Sequence, residues 1–165
     1  MPKQAIQEEI VHPIPPLYDE RSKTLILGSF PSVKSREVQF FYGHPQNRFW
    51  KLIALLFDES TPQTVEEKSS LILSHHLALW DTIHSCTITG SSDSSIKNVV
   101  PNDISVILQN SKIDRIFCNG TASHKLYMKY IYPTTKIKAE KLPSTSPANA
   151  AFTLERLAEE WKVIT

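Results

Sequence analysis

The 165-residue chain holds only four glycines and two cysteines. Neither G-x-G-x-x-G nor G-x-x-x-x-G-K-[ST] occurs, which excludes the two commonest phosphate cradles and the cofactor enzymes built on them. Cys86 and Cys118 cannot make a disulfide framework, a four-cysteine zinc site or an iron–sulfur cluster. The pairs His75-His76 and His84-x-Cys86 have no further cluster at ligand spacing, so no metal and no cofactor are expected. No apolar run approaches the roughly 20 residues that cross a bilayer. Met1-Pro2-Lys3-Gln4, leading into Glu8 and Glu9, lacks a signal peptide's basic and apolar regions. A reducing, cytoplasmic setting without a membrane partner is expected. A surplus of one charge is missing too, and the net +1 taken alone speaks against a nucleic-acid partner.

What is present is ordinarily globular, with 41% hydrophobic and 21% charged residues at a length suited to one domain. The charge is segregated along the chain. From Arg21 to Leu56, Arg21, Lys23, Lys34, Arg36, Arg48 and Lys51 face Glu37 alone. From Phe57 to Asn110 seven acidic residues outnumber Lys68 and Lys97, and from Ser111 to Thr145 seven basic residues oppose Asp114 and Glu140. Such segregation fits solvated helix faces. It equally fits two basic segments converging on a polyanion while the acidic segment faces away.

Hydrophobic patterning gives alternating strands and helices. Thr24 to Leu27 reads as a buried strand ending at Gly28, followed by a long polar and aromatic loop from Ser29 to Gln46. Asn47 to Phe57 reads as a helix, and Thr64-Val65-Glu66-Glu67 as a capping-box start for another that runs to about His75. Leu77 to Trp80 is a second strand ending at Asp81, and Ser85 to Ser95 is expected as a polar loop. Pro101-Asn102-Asp103 should cap a short helix through Leu108. Asp114 to Cys118 is a third strand, turning at Asn119-Gly120 into a helix over Thr121 to Ile131. Lys136 to Leu142 is a fourth strand, and Ala148 to Trp161 the last helix. The expected architecture is a three-layer α/β/α domain over residues 21–165 with a central, mostly parallel four-stranded sheet. Residues 1–20, with four prolines, are expected as an extended N-terminal arm. Ligands of such sheets bind beyond the carboxyl ends of the strands. The segments Ser29–Asn47, Asp81–Ser95, Asn119-Gly120 and Pro143–Asn149 should therefore meet there.

Those segments also carry a family resemblance. Gly28-Ser29-Phe30-Pro31-Ser32, Phe41-Tyr42-Gly43-His44-Pro45-Gln46-Asn47-Arg48-Phe49-Trp50 and Leu142-Pro143-Ser144-Thr145-Ser146-Pro147-Ala148 resemble the uracil-DNA glycosylase superfamily. More narrowly they look like its hypoxanthine-excising (DNA-deoxyinosine glycosylase) branch. Ala78-Leu79-Trp80-Asp81 with Ser92-Asp93-Ser94, and Phe117-Cys118-Asn119-Gly120, are similar to that branch as well. The resemblance spans about Ser22 to Trp161, with the motifs in order. The chain departs from the best-known uracil branch, because Gly28 to Ser32 holds no Asp and Pro143 to Ala148 no His. It also lacks the first-motif Asn of the mismatch-specific branch.

The resemblance implies a monofunctional DNA glycosylase that hydrolyses the N-glycosidic bond of a flipped, deaminated base, hypoxanthine first, in base-excision repair. Its partner is damaged DNA. A monomer, nucleoid-associated in a prokaryote, goes with that. The catalytic position of the branch falls on Asn47, whose carbonyl could orient a water toward C1′ while its NH2 holds a backbone or leaving-base atom. Asn47 also fits a plain helix N-cap. Phe30 would stack on the flipped base or lie in the core under the loop. Ser29, Tyr42 and His44 would shape the base pocket. Asp81 would read the base by accepting from a ring N–H, or serve as a cap or salt-bridge residue. Asn119 would add an amide, or simply make a turn. Phosphate contacts are expected from Ser32, Lys34 and Ser35, and from Ser144, Thr145 and Ser146 ahead of a helix starting near Pro147. Simple capping by Ser146 fits the same pattern. The alternatives are a mismatch-type uracil/thymine glycosylase, a non-catalytic DNA-binding module on the same fold and, least well matched, a flavodoxin-like cofactor carrier.

Overall fold

The computed structural model describes residues 7–165, so residues 1–6 of the expected arm lie outside the described residues. In chain order the elements are β1 (Gln7–Val11), β2 (Thr24–Gly28), α1 (Val33–Val38), α2 (Phe49–Leu56), α3 (Val65–Ser74), β3 (Leu77–Asp81), β4 (Ile83–Thr89), β5 (Lys97–Pro101) and α4 (Ser105–Gln109). They continue with β6 (Arg115–Asn119), α5 (Thr121–Leu126), α6 (Tyr132–Thr135), β7 (Ala139–Leu142) and α7 (Leu154–Trp161).

The four expected strands form one sheet in the order β3-β2-β6-β7, all neighbours parallel. Strand β2 is buried along its whole length, as a central strand covered on both faces must be. Its alternating side chains divide between two cores. Ile26 packs with Phe49, Ile53, Leu79, Phe117 and Trp161, whereas Leu25 and Leu27 pack with Ala78, Ile116, Tyr127 and Ile131. Helices α2, α3 and α7 contribute to the first layer, and α4 and α5 lead into the second. The fold is thus α/β/α.

Several local expectations change. The polar stretch 85–95 is not a loop but most of β4 and the turn after it. Strands β1, β4 and β5 form a second, antiparallel sheet. Its apolar residues Cys86 and Ile88 alternate with serines and threonines, and they pack on Ile83 and Phe30. The segment read as an arm is tied in: β1 pairs with β4, and Leu17 bridges Leu79. Within the loop 29–46, α1 forms with Ser32 as its cap. The capping-box helix starts as expected, the Thr64 hydroxyl accepting from the Glu67 N–H. Beyond α5 the helix passes through a π-type turn at Tyr127–Ile131. Finally, α7 starts at Leu154 under a Thr153 cap, six residues later than expected. Pro147 is therefore not a first helical residue. The 146–152 carbonyls that a helix would have bonded internally go to the Arg48 side chain instead.

Candidate active site

All four strand ends of the parallel sheet open on one pocket of about 360 Å3, within the usual range of small-ligand sites. Its lining includes Gly28, Ser29 and Phe30 after β2, Asp81 at the end of β3, Asn119 at the end of β6, and Ser144, Thr145 and Ser146 after β7. Tyr42, His44 and Asn47 enter from the segment before α2, and Asp93 from the turn between β4 and β5. Ser32 and Ser35 also reach it, while Lys34 is not among the lining residues.

Asn47 is held from two sides. The Phe49 N–H and the Thr145 hydroxyl both donate to its Oδ1, at 3.0 and 2.8 Å. The backbone donor fixes which end of the amide is oxygen. Two donors on one carbonyl oxygen occupy both lone pairs, so the Nδ2 hydrogens are what the pocket can use. The oxygen expected to orient a water is already taken by two donors within the protein. From one residue ahead of Arg48, the N-cap residue, the same oxygen closes a local turn onto the first N–H of α2. Thr145 is the hinge of this arrangement. Fully buried, it accepts from Asn119 Nδ2 and returns its own N–H to Asn119 Oδ1, each at 3.0 Å. Its carbonyl accepts from the Arg48 N–H at 3.1 Å. Its hydroxyl is therefore unavailable to a phosphate, contrary to the expectation.

The Arg48 guanidinium staples the loop after β7, donating to the carbonyls of Ser146 at 2.9 Å, Asn149 at 3.0 Å and Phe152. Ser144 Oγ and Ser146 Oγ accept from the N–H groups of Ser146 and Ala148 and remain half-buried at the rim. Ser35 is buried, and its hydroxyl accepts from the Gly43 N–H and from the Ser32 hydroxyl. It holds the Tyr42-Gly43 turn and does not face solvent, so a phosphate contact through Ser35 is corrected too. Lys34 is exposed, 3.7 Å from Glu37.

Asp81 lies on the pocket floor. Its Oδ2 is 2.7 Å from His12 Nε2, with both side chains almost wholly buried. The Ile14 N–H donates to His12 Nδ1, so the imidazole proton sits on Nε2 and is donated to the carboxylate. Asn102 fixes the turn below it by donating to the carbonyls of Asp81 and Ile83. Burial pushes the Tyr42 phenol well above its ordinary range, and the Asp81 carboxylate adds to the rise while Asn119 opposes it. Desolvation raises the Asp93 carboxyl. The Ser29 hydroxyl, donating at 2.8 Å, opposes that rise and the Asp81 charge adds to it. Phe30 is 8% exposed, with the His12 ring edge-on at 5.8 Å. His44 Nδ1 accepts from the Gln46 N–H.

The strand-end frame, an amide on the loop before α2 and a serine-rich loop after β7 are parts of this site, and the sequence as a whole matches one family. The model of the uracil DNA glycosylase superfamily matches residues 15–165. The chain belongs to this superfamily. A protein of Methanosarcina acetivorans named hypoxanthine DNA glycosylase is 33% identical over 154 residues, covering 91% of this chain and 94% of that protein. One of the same name from Methanosarcina barkeri is 33% identical over 95 residues, covering 56% and 60%. Among solved structures, a uracil DNA glycosylase candidate from Methanosarcina acetivorans has a TM-score of 0.78 at 31% identity, covering 92% of this chain and 94% of that one.

Within this superfamily member, sequence reasoning missed three contributors. His12 sits in a proline-rich segment 69 residues from Asp81, with no local pattern that points to it. Asn102 looked like a helix cap. Asp93 stood in a recognised motif, but nothing in its spacing tied it to Ser29.

Proposed function

We propose that this protein is a monofunctional DNA glycosylase that hydrolyses the N-glycosidic bond of a flipped deaminated base, with hypoxanthine preferred. The observation that carries the reading is the pocket itself. It is lined by an aromatic ring, an amide and a carboxylate at the carboxyl ends of the strands, in a chain whose full-length relative bears the name hypoxanthine DNA glycosylase. Damaged DNA is the partner. A single domain that includes the paired 7–20 segment, acting as a cytoplasmic monomer, goes with it.

The chemistry breaks C1′–N9, leaving the bonding pair on the purine and an oxocarbenium-like sugar that takes up water. Electrostatics and positioning supply most of the rate in such a step. Asn47 would serve through its Nδ2, donating to a purine atom on which negative charge grows. Thr145 and Asn119 hold that amide in place without touching the base. With Asp81 and Asp93 at the pocket, an anionic leaving base is disfavoured. The purine then departs neutral, its proton coming from solvent and the water's proton returning to it. Phe30 offers a face for stacking. The Ser144 and Ser146 hydroxyls, which accept backbone N–H groups and keep their own protons to donate, would meet the flanking phosphates, without any help from a helix at Pro147.

A base-release panel tests this directly, using hypoxanthine, xanthine, uracil and ethenocytosine in single- and double-stranded DNA. Hypoxanthine should be released fastest. Preference for uracil opposite guanine would move the protein to the mismatch type. Tight abasic-DNA binding with no base released would make it a non-catalytic module.

A further inference from the structure

Two carboxyls line the pocket, and their partners differ. Asp81 is held from below by the His12 N–H. Asp93 has one side-chain partner among the described residues, the Ser29 hydroxyl, which donates to Oδ1 at 2.8 Å. Its Oδ2 receives no hydrogen bond from them. A donor on Oδ1 makes that oxygen the carbonyl of the neutral acid, so an acid proton belongs on Oδ2. Both members of the pair are anchored. The Ser29 carbonyl accepts from the Ile83 N–H and the Thr82 hydroxyl. The turn that carries Asp93 is tied to α1, Arg36 donating to the Gly90 carbonyl and the Val33 N–H to the Ser91 hydroxyl. Ser95 closes the same turn, its hydroxyl accepting from the Thr89 N–H and donating to the Ser92 carbonyl. Asp93 also faces two ways. It lines the base pocket, and it lines a neighbouring open cleft together with Gly120, Lys141 and Asn149.

We propose that Asp93 is the general acid of base release, relaying a proton from solvent in the neighbouring cleft to N7 of the departing purine. The inference rests on the glycosylase reading and adds to it the route of the proton. As C1′–N9 breaks, the bonding pair goes to the purine and the Oδ2 proton passes to N7, so the base leaves neutral. Water adds to C1′ and gives up its extra proton to solvent, and Asp93 regains one through the cleft. The carboxyl is unchanged over the turnover. DNA laid across the pocket mouth shuts the direct path from solvent, so a carboxyl open to both sides is what the step requires. Desolvation and the Asp81 charge at the end of β3 raise the Asp93 carboxyl, and the Ser29 hydroxyl lowers it. Cys86 on β4 feels both Asp93 and the Arg36 charge from α1. Tyr42 and His44 face the same pocket, His12 sits behind Asp81, and Lys141 and Glu160 line the cleft.

The test follows single-turnover release of hypoxanthine against pH in the wild type, Asp93→Asn and Ser29→Ala, each with a thermal melt. Asp93→Asn keeps an acceptor for Ser29 but has no acid proton. It should slow release about 100-fold at the acid end of the profile, the usual contribution of a positioned acid. The gap should narrow as pH rises, because the wild-type rate falls about tenfold per unit once the carboxyl ionises and the amide has nothing to ionise. Ser29→Ala should move the falling limb to higher pH, since its lost hydrogen bond no longer favours the carboxylate. An Asp93 that acted as an anion beside the cationic sugar would instead give a wild-type rate rising with pH. A rising profile, an unchanged rate or a surviving limb in Asp93→Asn, or a limb that Ser29→Ala leaves in place overturns the relay, while hypoxanthine release by the wild type keeps the glycosylase reading. A wild type that releases no base overturns both.

Discussion

At the scale of single residues, the strongest constraint is on Asn47. Two donors fill its carbonyl oxygen, so whatever it does for a substrate is done by its nitrogen. Asn47→Ala should slow single-turnover base release about 100-fold or more, as removal of one oriented donor does in other electrostatic sites. It should also cost about 1 kcal/mol of stability through the lost hydrogen bond to the first N–H of α2. Asn47→Ser keeps a cap acceptor, so its melt should return toward wild type while the rate stays low. If the rate follows the melt, Asn47 is a cap and nothing more. Cys118 gives a second prediction of a different kind. Burial at the centre of the sheet pushes its thiol from 9.0 up to about 12, the Ser123 hydroxyl opposing. A folded-state value above the unfolded one favours the folded protein fully below pH 9, and that contribution is lost as pH rises toward 12. Between pH 8 and 10.5 the denaturation midpoint should therefore fall more in the wild type than in Cys118→Ala.

At the scale of elements, the segment between β7 and α7 owes its shape to a side chain 98 or more residues away. The planar fork of Arg48 donates to three carbonyls from two separate nitrogens, a spread that the single nitrogen of an ammonium does not reproduce. Arg48→Lys should speed amide exchange across residues 143–152 and weaken DNA binding about tenfold. Its stability loss should be about 1–3 kcal/mol, the usual cost of stranded polar groups. Unchanged exchange in that loop would remove Arg48 as its fastener. The alternation of strand and helix was legible because β2, β3 and β6 are compact apolar runs bounded by polar turns. Strand β4 was not, since only every second residue is apolar and its partners, β1 and β5, are remote or equally polar. The start of α7 was misjudged because Ala148 to Phe152 have no local reason to avoid a helix. The reason is Arg48.

At the scale of the whole molecule, the segregation of charge proved only partly informative. Asp81 and Asp93, both from the acidic stretch, line the pocket, so that stretch does not simply face away from the ligand. Arg48, counted among the basic residues, is spent on carbonyls inside the protein. Lys34 is free enough to meet DNA, since its exposed pair with Glu37 is worth little. Lys34→Ala should reduce the slope of log affinity against log salt by about one, the signature of one lost phosphate contact, with base selectivity unaltered. An unchanged slope would put the DNA path elsewhere. Among the described residues no helix is long and apolar enough to cross a membrane.

The sequence by itself determined the parallel sheet, the strand ends at which the pocket opens, and the family, because apolar runs and motif order are local properties of the chain. It named Asn47 and Asp81 as candidates but not which of their atoms other residues leave free. Tertiary structure decided that, since a carbonyl's free lone pair or a carboxylate's free oxygen depends on what distant residues have already taken. Thr145 and Phe49 occupy the Asn47 oxygen, and His12 occupies one oxygen of Asp81. What is left over, an amide nitrogen and a single carboxylate oxygen, is what these two side chains present to the pocket.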